Sequence, residues 1–207
     1  MPIAPSTPVT LAPPPTVQAV EPAELRFRFG TGRLCLDFVA TVRRRWRRNF
    51  DRLRTPTDLG QWIYEGRLLE GRPATTTADL EAARRLRWAL YRLVVASIGG
   101  PEATPEEVAV LNEFARRPTL SPQLVGPGGG LRWISENPVG AVLAAVARDA
   151  VELLATGDRG RLKECSAPDC SLLFYDTSRP GTRRWCSMDR CGNRAKVSAY
   201  RHRKQTS

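Results

Sequence analysis

With 207 residues, 42% of them hydrophobic, the chain has room for one domain of ordinary size and a smaller second one. Its formal net charge of +11 points to a polyanionic partner. No window approaches the ~18 consecutive apolar residues of a membrane-spanning helix, and the N-terminus lacks the basic and apolar regions of a secretory signal. The expectation is a cytoplasmic protein with no membrane partner.

The first 22 residues hold seven prolines, among them Pro13-Pro14-Pro15, and no periodic apolar pattern. They read as a disordered or polyproline-like leader. Residues 25–29, Leu-Arg-Phe-Arg-Phe, alternate apolar and basic and predict a short strand ending at Gly30. Leu34, Phe38, Val42 and Trp46 follow at i+4 spacing and predict a helix over 34–48. Its last turns carry Arg43, Arg44, Arg45, Arg47 and Arg48. These either complement the helix dipole or form a second phosphate-contact patch. Cys35 lies among apolar residues and reads as a small buried hydrophobe.

Thr55-Pro56-x-Asp58 supplies an N-cap, a first-turn proline and an acidic third position, which predicts a helix over 56–65. Leu59, Trp62 and Ile63 face inward. Thr76-x-x-Asp79 opens a longer helix over 77–97, with Leu86, Leu90 and Leu93 toward the core. Gly99-Gly100-Pro101 ends it. Thr104-Pro105-Glu106-Glu107 is a capping box for a helix over 105–116. Residues 120–125 and 131–134, joined by a glycine-rich turn, predict a hairpin. Asn137-Pro138 starts the last helix of this region, with Val139, Val142, Leu143, Val146, Leu153 and Leu154 as its buried face. Few polar groups on these helices are placed to converge into a site. The only histidine, His202, is flanked by Arg201 and Arg203, so no catalytic constellation and no enzyme is expected.

After a glycine-containing hinge at 156–160, four of the five cysteines fall in two matched pairs, Cys165-x4-Cys170 and Cys186-x4-Cys191, fifteen residues apart. Such pairing is what a tetrahedral four-thiolate zinc site needs, each pair forming a knuckle that aims two sulfurs at one ion. Two disulfides and a set of free thiols are the competing readings. A four-cysteine shell leaves no coordination position for water, so the zinc would be structural. Residues 172–175 suit a strand, 176–182 a turn, and 183–186 a returning strand. Residues 194–204 contain no proline and can be helical. Residues 161–207 hold eleven Lys and Arg against four Asp and Glu, so most of the positive charge surrounds the cysteines. That distribution is the footprint of a nucleic-acid binder.

The string Trp185-Cys186-Ser187-Met188-x-x-Cys191-Gly192-Asn193-Arg194-x-Lys196 resembles the signature of the CGNR zinc-finger family, bacterial proteins proposed to be transcription regulators. Upstream, residues 34–42 and Thr57-Asp58-Leu59-x-x-Trp62 resemble the opening of the ABATE domain that precedes that finger, described as a stress-induced regulator module.

The resulting expectation is a mainly α fold with a small β-hairpin, then a treble-clef-like four-cysteine zinc domain. Its divisions are a leader over 1–22, an ABATE-like helical domain over 23–157 and the finger with its basic helix over 158–207. One structural zinc is held by Cys165, Cys170, Cys186 and Cys191. Arg183, Arg184, Arg194, Lys196, Arg201, Arg203 and Lys204 are the nucleic-acid contacts. DNA is the expected partner, and a homodimer or a small-molecule effector is the expected input through the helical domain. The alternative is a zinc-stabilised protein-interaction module offering Phe174, Tyr175 and Trp185.

Overall fold

The computed structural model describes residues 25–43, 50–156, 158–168 and 170–205. The leader and residues 44–49 lie outside it, so the arginine cluster that follows Arg43 is not placed. The chain is mainly helical. In order, α1 spans Leu34–Val39, β1 Val42–Arg43, β2 Phe50–Asp51 and α2 Pro56–Glu65. Next come α3 Thr77–Ser97, α4 Pro105–Ala115, β3 Ser121–Leu124, β4 Leu131–Ile134 and α5 Pro138–Thr156. A 3-10 turn at Arg159–Arg161 leads to β5 Leu162–Glu164 and β6 Leu173–Tyr175. A π-helical turn at Met188–Gly192 runs into α6, Asn193–Gln205. Each sheet is a two-stranded antiparallel pair: β1–β2, β3–β4 and β5–β6.

The helix starts follow their caps. Thr55 accepts from the Asp58 amide at 3.3 Å, and its own N–H donates to the Asp58 carboxylate at 2.8 Å. Thr76 and Asp79 repeat the exchange at 3.1 and 2.9 Å. The Thr104 N–H donates to Glu107 at 2.7 Å. Each reciprocal pair satisfies donors that a helix N-terminus leaves unpaired. The Asn137 side chain accepts from the Gly140 amide at 2.8 Å and opens α5.

Helix α5 is the centre of the body and packs against α1, α3 and α4. Val139, Val142, Leu143, Val146, Ala147, Ala150 and Leu153 are buried along it. Helix α3 presents Leu80, Ala83, Leu86, Leu90 and Val94 at helical spacing. Trp62 is fully buried between Phe29 and Phe38.

Two local expectations fail. The helix over 34–48 ends at Val39. The next residues turn outward to pair as β1 with β2, Val42 opposite Asp51 and Arg43 opposite Phe50. Thr41 is fully buried; its hydroxyl donates to the Phe38 carbonyl at 2.7 Å and accepts from Arg87 at 2.8 Å. Strand pairing and a buried polar anchor override the i+4 pattern. Residues 25–29 form no strand among the described residues; Phe27 and Phe29 instead pack onto the body's core.

The body also holds a polar cluster that composition did not reveal. Arg87 on α3 is only 5% exposed and forms a two-point pair with Asp51, at 2.7 Å through one nitrogen and by a close contact through the other. Arg52, equally buried, donates to the carbonyls of Ala40 and Arg26 at 3.0 and 2.9 Å. These arginines fasten the β1–β2 pair to the helices.

Candidate metal centre and basic helix

Strands β5 and β6 bracket the first cysteine pair. The ladder continues past its end, the Cys165 amide donating to the Leu172 carbonyl at 3.0 Å. A tight turn closes the knuckle, with the Cys170 amide on the Ala167 carbonyl at 3.0 Å. The partner of β6 is therefore upstream of the cysteines, at 162–164. The expected returning strand at 183–186 is not formed, because that stretch crosses over to join the knuckles. Its Arg184 carbonyl accepts from the Ser166 amide at 2.9 Å, and the Cys186 amide points at the Cys165 sulfur at 3.4 Å.

The second pair sits at the head of α6. The amides of Cys191 and Gly192 both donate to the Ser187 carbonyl, at 3.1 and 3.0 Å, which makes the π-helical turn. A Cβ on Gly192 would stand 2.7 Å from the Met188 sulfur, so that exposed side chain would have to move aside.

The four thiols are buried and their sulfurs all lie within 4.8 Å of one another. Cys170 and Cys186 are 3.8 Å apart and Cys186 and Cys191 3.6 Å. Zinc–sulfur bonds of ~2.3 Å in tetrahedral geometry require sulfur–sulfur edges of about 3.8 Å. Disulfides require about 2.05 Å, and all five cysteines are free. The donor set thus fits one structural zinc ion.

The thiols' acidities point the same way. Hydrogen bonds from Cys170 and Cys186 pull the Cys165 thiol far below its ordinary value. Cys170, donating to Cys165, is pushed up to about 11, and Cys186 is pushed up further. Ionising Cys170 and Cys186 beside a charged Cys165 needs a cation among them. Cys35 is buried in the body's core and takes no part, and burial raises its thiol.

The predicted nucleic-acid contacts divide into two groups. Arg194 is exposed yet donates to the Cys191 sulfur at 3.4 Å, so it faces the metal shell as well as solvent. Lys196, Lys204 and Arg184 are exposed, the last lying over the Trp185 ring. Arg201 and Arg203 lie on α6, whose backbone is described there without their side chains. Arg183 is engaged inward: it lies over Phe174 and donates to the Cys186 carbonyl at 2.8 Å.

Asp176, read from the sequence only as turn composition, proves to be the anchor of the loop between β6 and the second knuckle. It is fully buried. Its carboxylate accepts from the Ser178 amide and hydroxyl at 3.0 and 2.6 Å, the Arg183 amide at 2.7 Å and Lys163 at 3.1 Å. Burial opposes its charge, but these donors outweigh it and hold the carboxyl well below the usual range. Arg161 donates to the carbonyls of Asp176 and Ser178 at 3.0 and 2.7 Å. Asp-x-Ser is the signal that could have marked this turn. Arg161, Lys163 and Arg183 are thus structural cations within the basic region.

The finger is seamed to the body. The Tyr175 amide donates to the Thr31 carbonyl at 2.7 Å, and Leu162 and Leu173 are members of the body's core. Gly32, at φ +95°, lies against this seam; a Cβ there would stand 2.5 Å from the Tyr175 carbonyl oxygen.

Two family models match, in tandem. The ABATE model, described as "Putative stress-induced transcription regulator", matches residues 32–157. The CGNR zinc-finger model matches residues 161–204. A search of curated proteins finds no match.

Proposed function

Because the chain belongs to the ABATE family and carries a CGNR zinc finger behind that domain, we propose that it is a bacterial, cytoplasmic transcription regulator that binds DNA through the finger. Residues 158–207 are the DNA-reading part. Residues 23–157 are the part that receives a signal or dimerises. Cys165, Cys170, Cys186 and Cys191 hold the zinc, which when bound supplies folding energy and no reaction chemistry.

The observation that supports this reading is the placement of α6. It begins at the cysteine cluster and exposes Asn193, Arg194 and Lys196 on its first turn. Four thiolates and one zinc leave a charge of about −2. The Arg194–Cys191 contact and the amides at the helix head offset part of it. Arg184, Lys196 and Lys204 are exposed and suit phosphates. Arg184, Arg194, Lys196, Arg201, Arg203 and Lys204 are the contacts in this reading; Arg183 is a brace.

The alternative of a protein-interaction module loses most of its expected face. Phe174 is fully buried and Trp185 packs against the cysteine cluster. Titration of the zinc-loaded chain into duplex DNA at several salt concentrations tests the proposal. The logarithm of affinity should fall with the logarithm of salt by about 0.9 per phosphate contacted. Binding that is absent, or indifferent to salt, overturns it.

A further inference from the structure

All eight strand residues of the β3–β4 hairpin are exposed. Its register pairs Pro122 with Trp133 and Leu124 with Leu131, so these four share one face. Ser121, Gln123, Arg132 and Ile134 share the other. On the second face Ser121, Gln123 and Ile134 line an open groove of about 540 Å³ together with Arg117, Asn137 and Gly140. The first face is the more apolar: Leu124 is 74% exposed, Leu131 60% and Trp133 52%.

Isolated two-stranded hairpins are marginal in water and gain stability by packing a face. Leu124, Leu131 and Trp133 expose on the order of 400 Å² of apolar surface, within the range where a monomer's largest patch is functional. Pro122 removes a backbone donor from β3, so that strand is a poor template for adding another. The face, more than the edge, is what a partner would cover.

Charge narrows the choice of partner. Over residues 118–146 the only ionisable side chains are Arg132 and Glu136, so this stretch is neutral in a chain of +11. Two copies of so basic a chain repel over most of their surface, and this hairpin is a place where they can meet without like charges opposed. A flat apolar ribbon is also complementary to its own two-fold copy, as a symmetric dimer requires.

We propose that the Leu124–Leu131–Trp133 face of the β3–β4 hairpin is a homodimer interface, in which two ribbons stack face to face across a two-fold axis. Two such faces bury roughly 800 Å² in all, below the ~1,200 Å² of a stable complex, so the dimer is a weak and reversible one. This proposal does not depend on DNA binding and stands or falls without it.

The test is the mass of the full-length, zinc-loaded chain by sedimentation or light scattering across about 1 to 100 µM. The expected result is a monomer–dimer equilibrium for the wild type. Trp133→Ser, and separately Leu124→Ser with Leu131→Ser, should raise its dissociation constant at least about tenfold. Because these side chains are exposed, helical content by circular dichroism should be unchanged in the variants. A wild-type chain that stays monomeric over the whole range overturns the proposal. So does a dimer that survives both sets of substitutions, since its contact lies elsewhere.

Discussion

At the scale of single residues, the cysteines were legible because metal chemistry fixes both residue type and spacing. Asp176 was not, because one aspartate in a turn looks like any other until its donors are placed. Asp176→Asn replaces one accepting oxygen with an NH2 group that cannot accept, set either against Lys163 and the Arg183 amide or against the Ser178 amide and hydroxyl. It is expected to destabilise the finger by about 2–3 kcal/mol, measured as weakened zinc retention in competition with a chelator. Arg87 was equally hidden, since arginine on a helix is usually solvated. Arg87→Met takes the guanidinium from Asp51 and Thr41, leaving Asp51 the Leu53 amide and the longer Arg84 pair, and should lower the stability of the body by about 2–3 kcal/mol. Denaturant unfolding checks that value; a variant as stable as wild type would show the pair to be dispensable.

Among the elements, those with local start signals came through the sequence nearly intact. Helices α2, α3, α4 and α5 begin where Thr55, Thr76, Thr104 and Asn137 say they should. The failures were elements whose ends are set by distant partners. Helix α1 stops because β2, seven residues beyond β1, pairs there. The strand at 173–175 pairs backward across the knuckle and not forward. The helix proposed to contact DNA, α6, allows a comparison between one of its own cations and one that precedes it. Lys196→Ala should weaken DNA binding uniformly across sequences and reduce the salt slope by about 1. Arg183→Ala should leave that slope unchanged and lower the finger's thermal stability instead, because its side chain holds Phe174 and the Cys186 carbonyl.

For the whole molecule, the sequence suggests a hinge between body and finger, and the structure has a seam at that junction. Composition could not reveal it, because Thr31 and Tyr175 are 144 residues apart and meet through backbone atoms. Gly32→Ala tests the seam. It adds a Cβ 2.5 Å from the Tyr175 oxygen at a backbone angle that disfavours side chains. The expected cost is about 2–3 kcal/mol, with the loss read in both the unfolding midpoint and the zinc affinity. Removing zinc with a chelator should then act unevenly. Hydrogen exchange is expected to speed up over 187–205, beyond the loop that Arg161 and Lys163 hold, and to stay slow in α3, α5 and the β5–β6 pair, which shares the body's core.

That unevenness follows from where the four sulfurs ride. Cys165 and Cys170 stand on a hairpin rooted in the body, whereas Cys186 and Cys191 travel with the basic helix. A single ion would be the rivet between an anchored plate and a loose one. How long that ion stays would set how long the helix keeps its place on the hairpin, so on the proposed function free zinc would be a dial on the finger as well as an ingredient of it.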